Sequence, residues 1–465
     1  MQGPIPNGFA PAQWKEVCGE ATALLQTLLR IDTTNPPGNE TPAAHLLRDL
    51  LAEDGLDGEV IESAPGRGNL ICRIASGSSE PPLLLATHLD VVTAGDPDRW
   101  THPPFAGELH DGMIWGRGAV DMKNMVAMSA MVMKLLRRRE AKLRRDVIFV
   151  AVADEESGCR HGSRFLVEQH PDKVRAGYAL GEVGGYPMTV GRARVMPVQT
   201  AEKGICWLRV TARGPGGHGS MPRRDNAVVR LAAALARLGT APLPQHNTPT
   251  VELFIRTVAG LQPLPIRLVM PRLLNPRLSE PILERFFPDK GKAASLRALL
   301  HNTAAPTVIR AGEKTNVIPD IAVAEIDGRT LPGQGPEDLI REVRELLGDL
   351  DDQALTFEIL EQAPGAVNFP HESPLWDCIR SVIRRHDRGL TVVPYMIPGF
   401  SDAKYFSRLG ARWYGFSPVR FDPEDGLSFS ELFHGVDERI PEDGFHWGLQ
   451  ALYEVVDSFC VRGSS

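Results

Sequence analysis

Cysteine is sparse and poorly placed for chemistry. Six residues, Cys18, Cys72, Cys159, Cys206, Cys378 and Cys460, are scattered over 465 positions with no CxxC pair. That spacing argues against a disulfide framework or a sulfur-rich zinc site and favours buried free thiols, so any metal must be held by histidine and carboxylate. Long apolar runs are also missing. Stretches such as PPLLLA and VIFVAVA fall far short of the roughly 20 residues a membrane-spanning helix needs. The opening MQGPIPNGFAPAQW has neither the basic start nor the apolar core of a secretory signal, so a cytoplasmic protein with no membrane partner is expected. Nor is there an excess of positive charge. Lys+Arg number 51 against 58 Asp+Glu, a formal charge of -7, which gives no field for a phosphate backbone and makes nucleic acid an unexpected partner.

What is present reads as a globular chain with more than one core. Apolar residues at 43% and charged residues at 23% are ordinary for such a chain, and the length exceeds what one core usually supports. Apolar positions recur at helical spacing from Trp14 to Arg30 and from Pro42 to Ala52, with IDTTNPPGNE breaking the pattern between them. The short apolar runs Leu83 to Val92 and Asp146 to Glu156 read as buried strands, separated by helical stretches such as Met122 to Arg138. This alternation predicts an α/β fold with a mostly parallel sheet flanked by helices. After AEKG the pattern changes. WLRVTARG alternates as a half-exposed strand, and further strands and helices follow it. We expect an inserted α+β module over 203–365, carrying a Pro-rich helical insertion around 261–307. Residues 1–202 and 366–465 then form one discontinuous domain.

Polar residues collect at the ends of the apolar strands, where ligands gather in open α/β sheets. His88 and Asp90 in THLDVV lie two apart, so on a strand they share a face, where a carboxylate can orient an imidazole. A strand-end histidine beside an aspartate is the ordinary alternative. Asp121 in GRGAVDMKNMV stands between a Gly-rich turn and a helix start, the usual place of a helix cap. DEESG sets Asp154, Glu155 and Glu156 at a strand end, where they repel unless cations or solvent relieve them. A solvated loop satisfies that condition; so does one carboxylate ligating a metal while its neighbour serves as a base. Glu182 in ALGEVGG and His434 in ELFHGVDE are unremarkable alone.

Taken in order, THLDVV, GRGAVDMK, DEESG, GEVGG and FHGVDE resemble the M20 family of metallopeptidases and amidohydrolases, over nearly the whole chain. The resemblance implies a zinc-exopeptidase-like catalytic domain with an inserted lid and dimerisation domain. It implies two divalent metal ions, zinc first and cobalt or manganese otherwise. His88, Asp121 and Glu182 would hold one ion, and His434, Glu156 and the shared Asp121 the other. Asp90 would orient His88, and Glu155 would be the general base. In GPGGHGSMP the resemblance makes His218 an oxyanion-stabilising residue that reaches across a homodimer. Asn316 in TNVIPD would bind the oxyanion, Arg329 in IDGRTLPG the substrate carboxylate, and Gly399 in PGFSDAKYF would lie beside that carboxylate. An ordinary surface ion pair is the alternative for Arg329.

The implied activity is hydrolysis of N-acyl amino acids or of a C-terminal peptide bond. A dipeptidase needing a free amine and a non-catalytic metal-binding scaffold are the alternatives. The sequence departs from the family in three places. Asn124 and Met125 replace two glycines, Ser401 replaces the usual Thr, and the lid insertion is long.

Overall fold

The computed structural model describes residues 5–6, 8–287, 290–350, 354–421, 427 and 429–463. The chain divides into two compact units, one of residues 1–200, 368–395 and 401–465, the other of residues 201–367 and 396–400.

The first unit is built on a nine-stranded sheet. Its central strands are Val147–Val152, Leu83–His88, Tyr178–Gly181 and Arg412–Gly415, and each runs parallel to the next. Every residue of Leu83–His88 and Val147–Val152 is buried, as strands covered on both faces must be, which is why these segments read as unbroken apolar runs. The edge strand Gly58–Glu62 pairs antiparallel with Gly68–Ile74, which pairs antiparallel in turn with Val147–Val152. The sheet is therefore parallel at its centre, where the site lies. Helices Pro11–Leu29, Lys123–Arg138 and Glu442–Cys460 share one apolar core with it.

Lys123–Arg138 is buried from Lys123 to Leu136, including two lysines. Each lysine has partners, as a buried cation requires. Lys123 Nζ donates to the carbonyls of Leu28 and Ile31 at 3.0 and 2.7 Å, and Lys134 Nζ meets Glu20 at 2.9 Å and Asp54 at 3.2 Å.

The second unit carries a four-stranded antiparallel sheet ordered Thr303–Ala311, Ile321–Thr330, Gly204–Arg213, Leu355–Ala363. Burial alternates along Ile321–Thr330, so one face packs and the other does not. Leu208, Val210 and Ala324 meet Leu231 of helix Ala227–Thr240 and Leu339 and Val343 of helix Pro336–Leu347 in one core. The helical insertion starts earlier than its composition suggests. Its helices are Pro249–Gly260, Ile266–Val269, Ser279–Phe286 and Lys290–Leu300, whereas 303–307, read as part of it, begins an edge strand. Pro288 and Asp289, inside the expected insertion, lie outside the described residues.

Candidate metal centre

Three turns at one end of the central strands bring the acidic residues together. Leu83–His88 ends on His88, and the next residues carry Asp90 across the end of Val147–Val152. There Asp90 Oδ1 accepts from the Glu155 amide at 3.0 Å, and Oδ2 from the Glu156 amide at 3.1 Å and Asn35 Nδ2 at 2.8 Å. Asp90 was expected to orient the His88 ring through its side chain. The shorter contact of the ring is instead His88 Nδ1 to the Asp90 backbone carbonyl, 3.0 Å, with the carboxylate at 3.5 Å. The carboxylate thus faces the His88 ring and also pins the DEESG turn. Asp154, whose φ is +68°, leaves the cluster and accepts from Arg67 and Asn35 at 2.9 and 3.0 Å.

Asp121 sits at the centre. Its side chain does not cap the following helix, whose cap position is Met122. Instead Oδ1 lies 3.2 Å from His88 Nε2 and Oδ2 lies 2.9 Å from His434 Nε2. Glu182 Oε2 is 3.7 Å from His88 Nε2, and Glu156 Oε2 is 3.3 Å from His434 Nε2. Two imidazoles 346 positions apart in sequence thus meet on the two oxygens of one carboxylate. Ligand-capable atoms approach within 4.8 Å of one another in two overlapping triads, His88–Asp121–Glu156 and His88–Glu155–Glu182. All of these are largely buried except His434, whose ring is 42% exposed.

The turn bearing Asp121 depends on glycine. Gly118 has φ +93°, and a Cβ there would stand 2.8 Å from Val91 Cγ1. Glu438 ends the FHGVDE motif without being one of the expected ligands, yet it is fully buried and accepts from the amides of Val120 and Asp121 at 2.7 and 3.1 Å. Arg67, Glu40 and Asn35 carry no motif signal either. Arg67 Nε meets Glu40 at 2.9 Å beneath the DEESG turn. NPPGNE signalled only a helix break, and no local pattern links it to Asp154.

The electrostatics are those of carboxylates crowded out of water. Burial, joined by the charge of Asp121, pushes Glu156 up to about 7. Glu182 also rises to about 7, through burial offset in part by its hydrogen bond to His88. Glu155 is pushed well above the usual carboxylate range, first by burial and then by Glu182. Burial pulls His434 down, but Asp121 and Glu156 outweigh it and hold the ring up at about 10. One oxygen on each of Glu155, Glu156 and Glu182 is buried with no hydrogen-bond partner. Such atoms are costly unless something fills the valence. Two imidazoles and hard carboxylate oxygens form a donor set suited to zinc-like ions, so the residues fit a metal pair.

The second unit holds the other expected residues. His218 is exposed, with Nδ1 2.8 Å from Ser220 Oγ, and its strand Gly217–His218 pairs with Val317–Ile318. The Asn316 carbonyl accepts from the Gly219 amide at 2.9 Å in the same corner. Arg329 donates to both oxygens of Asp327 at 2.7 and 3.1 Å, and its guanidinium lies 5.1 Å from the Phe400 ring. Its Nη1 is buried without a partner. Gly399 faces open space, and its carbonyl accepts from the Lys203 amide at 3.3 Å.

The chain is similar to known proteins over most of its length. The model of peptidase family M20/M25/M40 matches residues 84–458. A probable carboxypeptidase S-like 2 of Dictyostelium discoideum is 31% identical over 81% of this chain and 71% of its own length. The human N-fatty-acyl-amino acid synthase/hydrolase PM20D1 is 28% identical over 82% of this chain and 75% of its own. Among solved structures, an M20 family metallo-carboxypeptidase from Sulfolobus solfataricus superposes with a TM-score of 0.70 at 15% identity. That match covers 95% of this chain and 99% of the other.

Proposed function

We propose, from the premise that this chain belongs to peptidase family M20/M25/M40, that this hydrolase cleaves the amide bond of an N-acyl amino acid or a C-terminal peptide bond beside a free carboxylate. The observation that carries the reading is Asp121 lying between the Nε2 atoms of His88 and His434. A shared carboxylate is what holds two ions at the roughly 3.5–4 Å spacing of two-metal hydrolytic sites. In this reading His88, Asp121 and Glu182 hold one ion, and His434, Glu156 and Asp121 the other. When bound, such ions polarise a carbonyl and acidify water.

Glu155 then acts as general base. Its buried carboxylate, with one oxygen bound to no hydrogen-bond donor, suits a group that takes a proton from water and passes it to the departing amine. Asp90 keeps it in place by holding its backbone amide. Arg329 grips the substrate carboxylate through Nη1, the nitrogen not engaged by Asp327, beside Gly399, while His218 and Asn316 serve the oxyanion. His218 would act from a partner subunit, in a homodimer formed through the second unit. The Thr303–Ala311 strand supports that assembly, since it stands at the end of its sheet.

The relatives' names place N-fatty-acyl amino acids and peptides in the test panel. Hydrolysis should be measured on N-acetyl and long-chain N-acyl amino acids, peptides blocked at the amine and free dipeptides, with zinc, cobalt or manganese added in turn. Turnover of N-acylated substrates supports the reading. Turnover of free dipeptides alone replaces it with a dipeptidase, and no turnover with metal bound makes the chain a metal-binding scaffold.

A further inference from the structure

We infer that the buried Glu438–Arg117 pair is a positioning device that sets the two halves of the metal centre against each other, coupling the bridging Asp121 to the turn of His434. The inference rests on the two-metal reading, and it concerns residues to which that reading gives no role.

Glu438 is completely buried and Arg117 is 2% exposed. The Glu438 carboxylate receives four donors, two on each oxygen. Oε1 accepts from the amides of Val120 at 2.7 Å and Asp121 at 3.1 Å. Oε2 accepts from the Gly118 amide at 3.1 Å and from Arg117 Nη1 at 2.5 Å. Three of the four are backbone amides from the one turn that presents Asp121. Amides converging in this way form an anion cradle, and here the anion is supplied by the protein itself.

The guanidinium carries the connection onward. Arg117 Nη2 donates to the His434 carbonyl and to the Thr93 carbonyl, both at 3.3 Å. Its face lies 5.2 Å from the Trp100 ring. His434 itself is at φ +59°, a left-handed conformation that a non-glycine residue keeps only when its surroundings enforce it. Glu438 is anchored at the start of the loop it holds. Its carbonyl accepts from the Gly116 amide at 3.0 Å, and the strand Arg439–Pro441 that follows pairs with Met113–Trp115. One carboxylate on a fixed strand thus sets the backbone of Asp121, and one guanidinium relays that position to His434.

Stability alone is a poor reason for such a pair. Desolvation of two charges consumes most of their attraction, and well-packed apolar residues often serve as well. What a carboxylate holding four donors and a planar guanidinium reaching on to a second carbonyl provide is geometry. Neighbours of metal ligands that fix ligand orientation commonly change metal affinity 10–100-fold when altered.

The test uses the full chain and zinc alone, with affinity read by competition against a chromophoric chelator. The melting temperature of the metal-free protein and kcat and KM on an N-acetyl amino acid are measured beside it. Glu438→Gln leaves one acceptor oxygen and turns an NH2 toward backbone N–H donors. Because Asp121 is shared, both zinc affinities should fall by about 10–100-fold, and kcat should fall more than KM rises. Arg117→Lys keeps a cation opposite Glu438 but loses the fork to His434, so one zinc should weaken more than the other. If Glu438→Gln does not fold, Arg117→Lys decides alone. A lower metal-free melting temperature with wild-type zinc affinities would show that the pair only holds the fold, and would overturn the inference. Wild-type protein that binds no zinc would instead remove the two-metal reading beneath it.

Discussion

Replacing Glu155 with Gln should abolish most turnover while leaving the metals in place. The substitution changes little else. Gln has nearly the same volume, so no cavity forms, and the backbone amide of residue 155 stays on Asp90 Oδ1 at 3.0 Å whatever the side chain. The contacts that gather the other acidic residues, His88–Asp121, His434–Asp121 and His434–Glu156, do not involve Glu155. What is lost is a proton acceptor. General base catalysis contributes about 10²–10⁴-fold, or about 3–5.5 kcal/mol of barrier at about 1.36 kcal/mol per decade. The kcat for an N-acetyl amino acid should fall within that range while metal per chain, read by elemental analysis, stays at the wild-type value. The second readout matters because Glu155 also lies within ligand distance of His88 and Glu182. Loss of metal together with activity would make Glu155 a ligand, and a kcat close to wild type would remove it from the chemistry.

Chelation should inactivate the enzyme reversibly and lower its melting temperature, since buried carboxylate oxygens on Glu156 and Glu182 lose the cations that would satisfy them. Unchanged melting with EDTA would contradict this. Thiol reactivity should be low in the native protein. Burial, aided by Glu442 and Asp443, pushes Cys18 up to about 11, and burial with Asp57 pushes Cys72 up to about 12. Burial also holds Cys159 and Cys460 well above the ordinary thiol. A raised thiol pKa leaves little thiolate at pH 8, so an aromatic disulfide reagent should reach only the half-buried Cys378 until denaturant exposes all six. Rapid labelling of several thiols without denaturant would refute the packing. Gly118→Ala should cost about 1–3 kcal/mol in denaturant unfolding, because its φ of +93° and a Cβ 2.8 Å from Val91 both resist a side chain. An unchanged midpoint would show that the turn can relax.

Local signals in the sequence carried the framework well. Leu83–His88 and Val147–Val152 are buried on both faces, so their apolar runs specify central strands without outside help. The helical period of Trp14 to Arg30 matches helix Pro11–Leu29 for the same reason. The α/β class follows from those elements. Convergence of His88, Asp121, Glu156, Glu182 and His434 is a different matter. Taken singly, Asp121 looks like a cap and His434 like a surface residue, and only the order of five motifs pointed to a common place. Glu438, Arg117 and Asn35 left no signal at all. Their partners are backbone amides and side chains that the fold alone brings near, as with Asn35 and Asp154, 119 positions apart. The C-terminal end of the insertion differs because 303–307, TAAPT, is made of small residues and a proline on an edge strand and carries no strand alternation.

The most direct measurement is anomalous diffraction at the zinc edge from crystals grown with zinc. The account predicts two peaks per chain on either side of the Asp121 carboxylate, one against His88 and Glu182, the other against His434 and Glu156. A single peak away from Asp121, or none at that carboxylate, would contradict it.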